Sequence, residues 1–312
     1  MISIDCIRAA AGQIAPHVRK TPTIAVEAVS EPVTDARLML KLECLQATGS
    51  FKARGATNKL LSMPREAIAN GIVTASGGNH GLAVARAARI AGVPAHVFVT
   101  ESATAEKREK LKRWGAEVSV LGAIWNETNE AALAFAEEEG AAYFHPFADP
   151  AVVAGQGTVA LELLDTVPDV DTVLVAVGGG GLIAGMSVAL KALKPSVRIV
   201  GIEPVGSPTL KACLDAGRLV RLDSVTSRVA TMSCGMTDQK IYETVRDHVD
   251  DIVLIDDEAM LEAARWLWFE LGIASDLSGA AAIAALRSGR VTFGRDETVG
   301  ALVCGAGPDG IA

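Results

Sequence analysis

Ile72-Val73-Thr74-Ala75-Ser76-Gly77-Gly78-Asn79-His80-Gly81-Leu82 changes its pattern from a short apolar run, through two glycines, to the start of an alanine-rich segment. The first four residues predict a buried strand, Ser76-Gly77-Gly78 a tight turn, and Leu82 to Ala91 a helix. The unit then repeats. Ala95-His96-Val97-Phe98-Val99 precedes a charged helix from Ala105 to Trp114, and Glu117-Val118-Ser119-Val120 precedes a helix from about Asn126 to Glu139, followed by Ala142-Tyr143-Phe144. Successive strand-helix units of this length predict an α/β fold with a twisted, mostly parallel sheet flanked by helices. In such sheets ligands bind beyond the carboxyl ends of the strands, so the loop at Ser76 to Gly81 falls where a site belongs.

The same pattern extends in both directions. Toward the N-terminus lie a helix near Ile2 to Gly12 and the apolar run Leu38-Met39-Leu40. Pro146, Pro150, Gly155 and Gly157 read as punctuation of an irregular crossing, followed by a helix from Val159 to Thr166 and the strand Val173-Leu174-Val175-Ala176-Val177. Later come helices at Ile183 to Leu193 and Glu258 to Leu271, and a last strand, Val299 to Val303. At 312 residues the chain is long for one core, and two lobes are expected.

Composition excludes several classes of function. A net charge of -8 and a pI near 5.2 argue against a nucleic-acid partner, and the basic cluster Lys107 to Arg113, interrupted by Glu109, reads as a solvated helix face. Thr172 to Leu190 carries no charge, but Gly178 to Gly181 at its centre disfavour a membrane helix at about 1 kcal/mol each. Five scattered cysteines without a CxxC pair fit a reducing compartment, and Met1 to Asp5 lacks the features of a signal peptide, so the cytoplasm is expected.

Three stretches carry chemistry. Lys52, in Gly49-Ser50-Phe51-Lys52-Ala53-Arg54-Gly55-Ala56, stands where a helix should begin, with Ser50 as its N-cap. Partial burial there would lower the lysine pKa and make the amine nucleophilic, as imine formation requires; a solvated helical lysine is the plainer alternative. Gly178-Gly179-Gly180-Gly181-Leu182, between a strand and a helix, suits a phosphate, because its amides and the helix N-terminus face one anion. Tight strand-to-helix packing would need the same glycines. The loop Ser76 to Gly81 could hold a carboxylate in the same way, or Asn79 could simply cap a helix.

Taken together, these motifs resemble the fold-type II pyridoxal phosphate enzymes, the serine and threonine dehydratase group that includes serine racemase, from about Thr21 to Gly307. The resemblance implies a two-lobed enzyme, with residues 1–64 and 150–312 forming a large cofactor-binding domain and 65–149 a small one. Pyridoxal 5'-phosphate would be held by Phe51, Lys52, Asn79, Gly178, Gly179, Gly180, Gly181, Leu182 and Cys304. Lys52 would be the catalytic residue. Asn79 would meet the ring hydroxyl and Cys304 the ring nitrogen, although a merely structural buried cysteine reads the same. Ser76, Gly77, Gly78, Asn79 and His80 would line the substrate carboxylate site, His80 as scaffold in preference to base.

Departures from the group's pattern are informative. Serine racemases carry a serine where this chain has Gly77, and glycine cannot exchange a proton, so elimination is favoured over racemisation as the main reaction unless Ser76 or a water substitutes. A neutral thiol beside the ring nitrogen makes a weaker electron sink than an aspartate, which suits rapid loss of a β-hydroxyl. No metal is expected: Thr209 stands six residues after Glu203, where an aspartate would complete a cation site, and Ser275 replaces another acidic residue, with Asp276 adjacent. Gly307 replaces a common Asn. The expected activity is dehydration of a serine-like or threonine-like β-hydroxy amino acid to a 2-oxo acid and ammonia, by a homodimer without the regulatory domain of biosynthetic threonine dehydratases. Racemisation or β-replacement on the same cofactor is the alternative. A non-catalytic phosphate-binding module is a third reading, and a dinucleotide enzyme is disfavoured by the glycine spacing.

Overall fold

A computed structural model describes residues 2–123 and 125–311; Met1, Ile124 and Ala312 lie outside the described residues. The strands are β1 (Thr23–Ala25), β2 (Arg37–Leu42), β3 (Ile72–Ala75), β4 (Ala95–Val99), β5 (Ala116–Val120), β6 (Ala142–Tyr143), β7 (Thr172–Ala176), β8 (Arg198–Pro204), β9 (Asp251–Ile255) and β10 (Thr298–Val303). The helices are α1 (Ile4–Ile14), α2 (Lys52–Leu61), α3 (Asn79–Ala91), α4 (Ala105–Arg113), α5 (Trp125–Glu139), α6 (Pro150–Thr166), α7 (Gly181–Leu193), α8 (Thr209–Ala216), α9 (Gln239–His248), α10 (Asp257–Leu271) and α11 (Leu277–Arg287).

They build two sheets. One has the order β1-β2-β10-β7-β8-β9 and is parallel except for β1; the other, β5-β4-β3-β6, is parallel throughout. Every residue of β7 and β10 is buried, as expected of strands covered on both faces. β10 runs between β2 and β7, so its carboxyl end emerges between the Lys52 segment and the glycine turn after β7. Backbone hydrogen bonds hold that junction together: Phe51 N donates to Cys304 O at 3.2 Å and Ala306 N to Gly49 O at 2.8 Å.

Two local expectations change. Ser50 does not cap α2: its backbone is extended and bridges Gly305, and its buried Oγ has no partner among the described residues. The pairing with Gly305 takes precedence over the cap. Of the stretch read as an irregular crossing, Pro146 lies outside any helix or strand as expected, but the part from Pro150 to Gly157 is instead the first half of α6, capped by the Asp149 side chain and with Pro150 in its first turn, where a missing N–H costs nothing. Its glycines serve packing. A Cβ at Gly155 would lie 2.7 Å from Gly55 Cα on α2, and one at Gly157 would lie 2.7 Å from Gly185 O on α7. The helix backbones therefore touch where side chains would normally separate them.

Gly155→Ala should cost about 1–3 kcal/mol in urea unfolding. Gly12→Ala, at a helical position with nothing within 4 Å, should be neutral or stabilising by up to about 1 kcal/mol.

Candidate active site

Lys52 opens α2 and turns its side chain into the crevice between the two sheets' carboxyl ends. Its Nζ donates to Pro146 O at 2.7 Å and stands 5.2 Å from the centre of the Phe51 ring. Burial lowers its pKa from the usual lysine value to about 8, and no carboxylate is close enough to raise it again. The amine is thus available in its neutral form at mildly alkaline pH.

Across the crevice, Asn79 is the first residue of α3 and donates through Nδ2 to Asp276 Oδ2 at 3.0 Å. His80 points the other way. Its Nε2 meets the Phe144 carbonyl at 3.0 Å, which requires the proton on that nitrogen, and burial with Lys52 nearby lowers its pKa to about 3. It stays neutral and holds the start of α3 to the Phe144 segment. The Ser76 hydroxyl accepts from Gly78 N at 3.4 Å, closing the loop on itself. Gly78 faces Thr231 of the other lobe: a Cβ there would lie 3.8 Å from the threonine methyl.

The glycine turn is enclosed on several sides. A Cβ at Gly179 would collide with the Phe147 ring, one at Gly178 would lie 3.0 Å from Met232 Cα, and one at Gly180, where φ is +88°, would lie 2.6 Å from Ile241. Thr237 Oγ1 donates to Gly179 O at 2.9 Å and fixes the turn from outside. Among the described residues the amides of Gly178, Gly179 and Gly180 have no hydrogen-bond partner. Gly181 and the buried Leu182 begin α7, whose positive end adds to those free donors. The arrangement is a cup of N–H groups that admits no side chain of its own.

Cys304, at the end of β10, is buried, and burial pushes its thiol pKa upward, so it stays protonated. Its Sγ donates to Ser278 Oγ at 3.7 Å. The structure therefore brings Lys52, Phe51, Asn79, the glycine turn and Cys304 to one crevice, with Ser76, Gly77 and Gly78 on its small-lobe side. Pro146, Phe147, Thr237, Ser278 and Asp276 join them without having been assigned a role from sequence. In the sequence Asp276 stands out only as the acidic neighbour of Ser275. Near the exit of β8, Glu203 accepts from the amides of Leu210 and Lys211 at 2.8 and 2.9 Å, and the Thr209 hydroxyl donates to Cys234 O.

Comparison with known proteins agrees with this geometry. The family described as pyridoxal-phosphate dependent enzyme matches residues 14–305. The chain is 36% identical to a serine racemase of Oryza sativa subsp. indica, over 98% of this chain and 91% of that one. It is 38% identical to an L-threonine ammonia-lyase of Thermotoga maritima, over 92% of this chain and 71% of that one. The crystal structure of a threonine deaminase from T.th. superposes with a TM-score of 0.90 at 36% identity, over 98% of both chains.

The lysine pKa makes a linkage prediction. Between pH 8 and 10.5 the unfolded chain binds more protons at Lys52 than the folded one, so stability rises with pH across that window. Urea unfolding of the cofactor-free protein should show this rise relative to Lys52→Met; parallel pH profiles would contradict the lowered pKa.

Proposed function

Because the chain belongs to the pyridoxal-phosphate dependent enzyme family, we propose that it is a lyase that eliminates water from a serine-like or threonine-like L-β-hydroxy amino acid and releases an enamine, which takes up water to give a 2-oxo acid and ammonia. The residues present fit the cofactor. Lys52 offers a lysine amine of lowered pKa, and the free amides of the glycine turn at α7's N-terminus offer a seat for a dianion. In this reading Gly178, Gly179, Gly180, Gly181 and Leu182 hold the phosphate, Phe51 packs on the ring, Asn79 meets the ring hydroxyl and Cys304 the ring nitrogen. When bound, the cofactor supplies an aldehyde for the substrate amine and an electron-withdrawing ring that acidifies the Cα proton.

The protein's own groups hold the substrate and move its Cα proton. Neutral Lys52 takes the Cα proton, and the Pro146 carbonyl, 2.7 Å from Nζ, fixes the direction from which it does so. The loop from Ser76 to His80, at the N-terminus of α3, holds the substrate carboxylate on backbone N–H groups.

Gly77 is the observation that favours elimination over racemisation. Identity is nearly equal to a racemase and to an ammonia-lyase, so similarity alone does not choose. Racemisation needs a proton donor on the side opposite Lys52, and Gly77 has none. Of its neighbours, His80 is neutral and bonded to Phe144 O, which leaves the Ser76 hydroxyl, an acceptor from the Gly78 amide at 3.4 Å that keeps its own proton, or a water to stand in for that donor.

Support for a homodimer comes from the family resemblance and from α10, where Trp268 is 43% and Phe269 80% exposed while Trp266 is buried and donates to Glu31 O. Support for the cytoplasm comes from five free cysteines. No described helix is long and apolar enough to cross a membrane.

A panel of L-serine, L-threonine, 3-hydroxyaspartate and phenylserine should give 2-oxo acid from one or two members, and Lys52→Ala should reduce the rate by about 10²-fold to 10⁴-fold. Failure of the whole panel with cofactor bound would remove the dehydratase reading. A Cβ at Gly77 meets only ordinary contacts, 3.5 Å from Val99 Cγ1, so Gly77→Ser should fold. It should raise exchange of the Cα proton with solvent, or formation of the D-isomer, by about tenfold or more.

A further inference from the structure

Asp276 stands just before α11, where an aspartate can cap the helix. It does so, with Oδ1 accepting from Gly279 N at 2.7 Å. The same carboxylate reaches further. Oδ1 also accepts from the Ser278 hydroxyl at 2.7 Å, and Oδ2 accepts from Asn79 Nδ2 at 3.0 Å. Ser278 Oγ in turn accepts from Cys304 Sγ at 3.7 Å. A continuous chain of hydrogen bonds, Cys304 to Ser278 to Asp276 to Asn79, thus crosses the floor of the crevice from the end of β10 to the start of α3. Its two ends are the residues read above as the partners of the ring nitrogen and the ring hydroxyl.

Each link fixes the next. With one Nδ2 hydrogen committed to Asp276, the Asn79 amide cannot flip, and its remaining polar groups point in one direction. With its proton committed to Asp276, the Ser278 hydroxyl offers only lone pairs to the Cys304 thiol. The backbone around this chain leaves no slack. A Cβ at Gly305 would lie 2.6 Å from Asp276 Oδ2 and 3.0 Å from Asn79 Nδ2, and one at Gly307 would lie 2.8 Å from Asp276 Cβ. That crowding gives Gly307, a departure in the sequence, a physical reason.

We propose that Asp276 is a positioning residue that sets both polar contacts of the cofactor ring, holding Asn79 directly and Cys304 through Ser278. The proposal rests on the reading that those two side chains face the ring. It differs from a helix cap because it couples groups on two different lobes.

The test needs no substrate. Cofactor-free protein is titrated with pyridoxal 5'-phosphate, and the dissociation constant is measured for Asp276→Asn, Asn79→Ala and their double variant, and for Ser278→Ala, Cys304→Ala and theirs. Each single change should weaken binding by about tenfold, the scale of one hydrogen bond. Each double variant should lose no more than about threefold beyond its weaker-binding parent, because both changes break one chain. Asp276→Asn and Ser278→Ala should also alter the visible absorption bands of the bound cofactor, which loss of a helix cap alone would not do. Losses that multiply in both cycles, or unchanged bands, would overturn the proposal. Should Asp276→Asn not fold, Asp276→Glu takes its place in the cycle with Asn79→Ala. A wild-type protein that binds no cofactor would instead remove the site reading itself, so the two failures are distinguishable.

Discussion

The position of Lys52 depends on the ion pairs made by Arg54, two residues further along α2. Two residues turn a helix by about 200°, so while Lys52 faces the crevice Arg54 points into the core, where it is 1% exposed. It meets Glu43 through Nε and Nη2 at 2.8 and 2.7 Å, and Glu162 of α6 through Nη1 and Nη2 at 2.8 and 2.9 Å. Lys41 adds a contact to Glu162 at 2.6 Å, and the Thr21 hydroxyl donates to Glu43 at 2.5 Å. Two cations and two carboxylates balance, and the carboxylates keep Arg54 charged despite burial, with its pKa above the usual value. Removing one partner from such a cluster costs about 3–5 kcal/mol, whereas replacing all of it with apolar groups often costs nothing. What the cluster adds is therefore placement: the fork of the guanidinium fixes α2 in register against both the end of β2 and α6. The lysine amine inherits that register.

The glycines follow from the same demand for close approach. Gly55, the residue after Arg54, lets α6 come near enough for Glu162 to reach the guanidinium; a Cβ there would lie 2.7 Å from Val152 O. Gly155 does the same from the other helix. Local reading treats a glycine as a break in a helix, since it weighs conformational freedom and not the neighbour that needs the space. That is why the first half of α6 looks irregular in sequence while the second half, rich in aliphatic residues, does not.

The legible parts of the site are those whose chemistry is local. A strand, a glycine turn and a helix start are contiguous, so Lys52, Asn79 and the glycine cup can be found by motif, and period alone separates β3 from α3. Asp276, Ser278, Phe147 and Thr237 were not legible in that way. Asp276 acts on Asn79 from 197 residues away along the chain, and Thr237 reaches Gly179 across 58. Nothing in their immediate sequence distinguishes a helix cap or a loop threonine from a residue that shapes a binding site. His145 shows the same limit in reverse: its Nδ1 accepts from the amides of Phe147 and Ala148 at 3.2 and 2.9 Å, so a histidine beside the site serves to fold the turn that presents Phe147.

Glu203 illustrates how a buried carboxylate is satisfied by a helix N-terminus. It is buried at the end of β8, where desolvation pushes its pKa up to about 7. A carboxylate in that setting needs positive charge or donors. Thr209, with its hydroxyl turned to Cys234 O, brings no second negative charge, and Glu203 instead takes the amides of Leu210 and Lys211 in the first turn of α8. The positive end of a helix dipole then meets a charge that would otherwise require a counter-ion. The same arrangement ties α8 to the loop that carries Cys234 and, through Thr231 and Met232 nearby, to the glycine turn and the loop before α3. The helix that satisfies Glu203 therefore also packs on the glycine turn, where a Cβ at Gly180 would lie 2.8 Å from Leu210 Cδ1, so that a buried charge at the end of β8 shares in placing that turn.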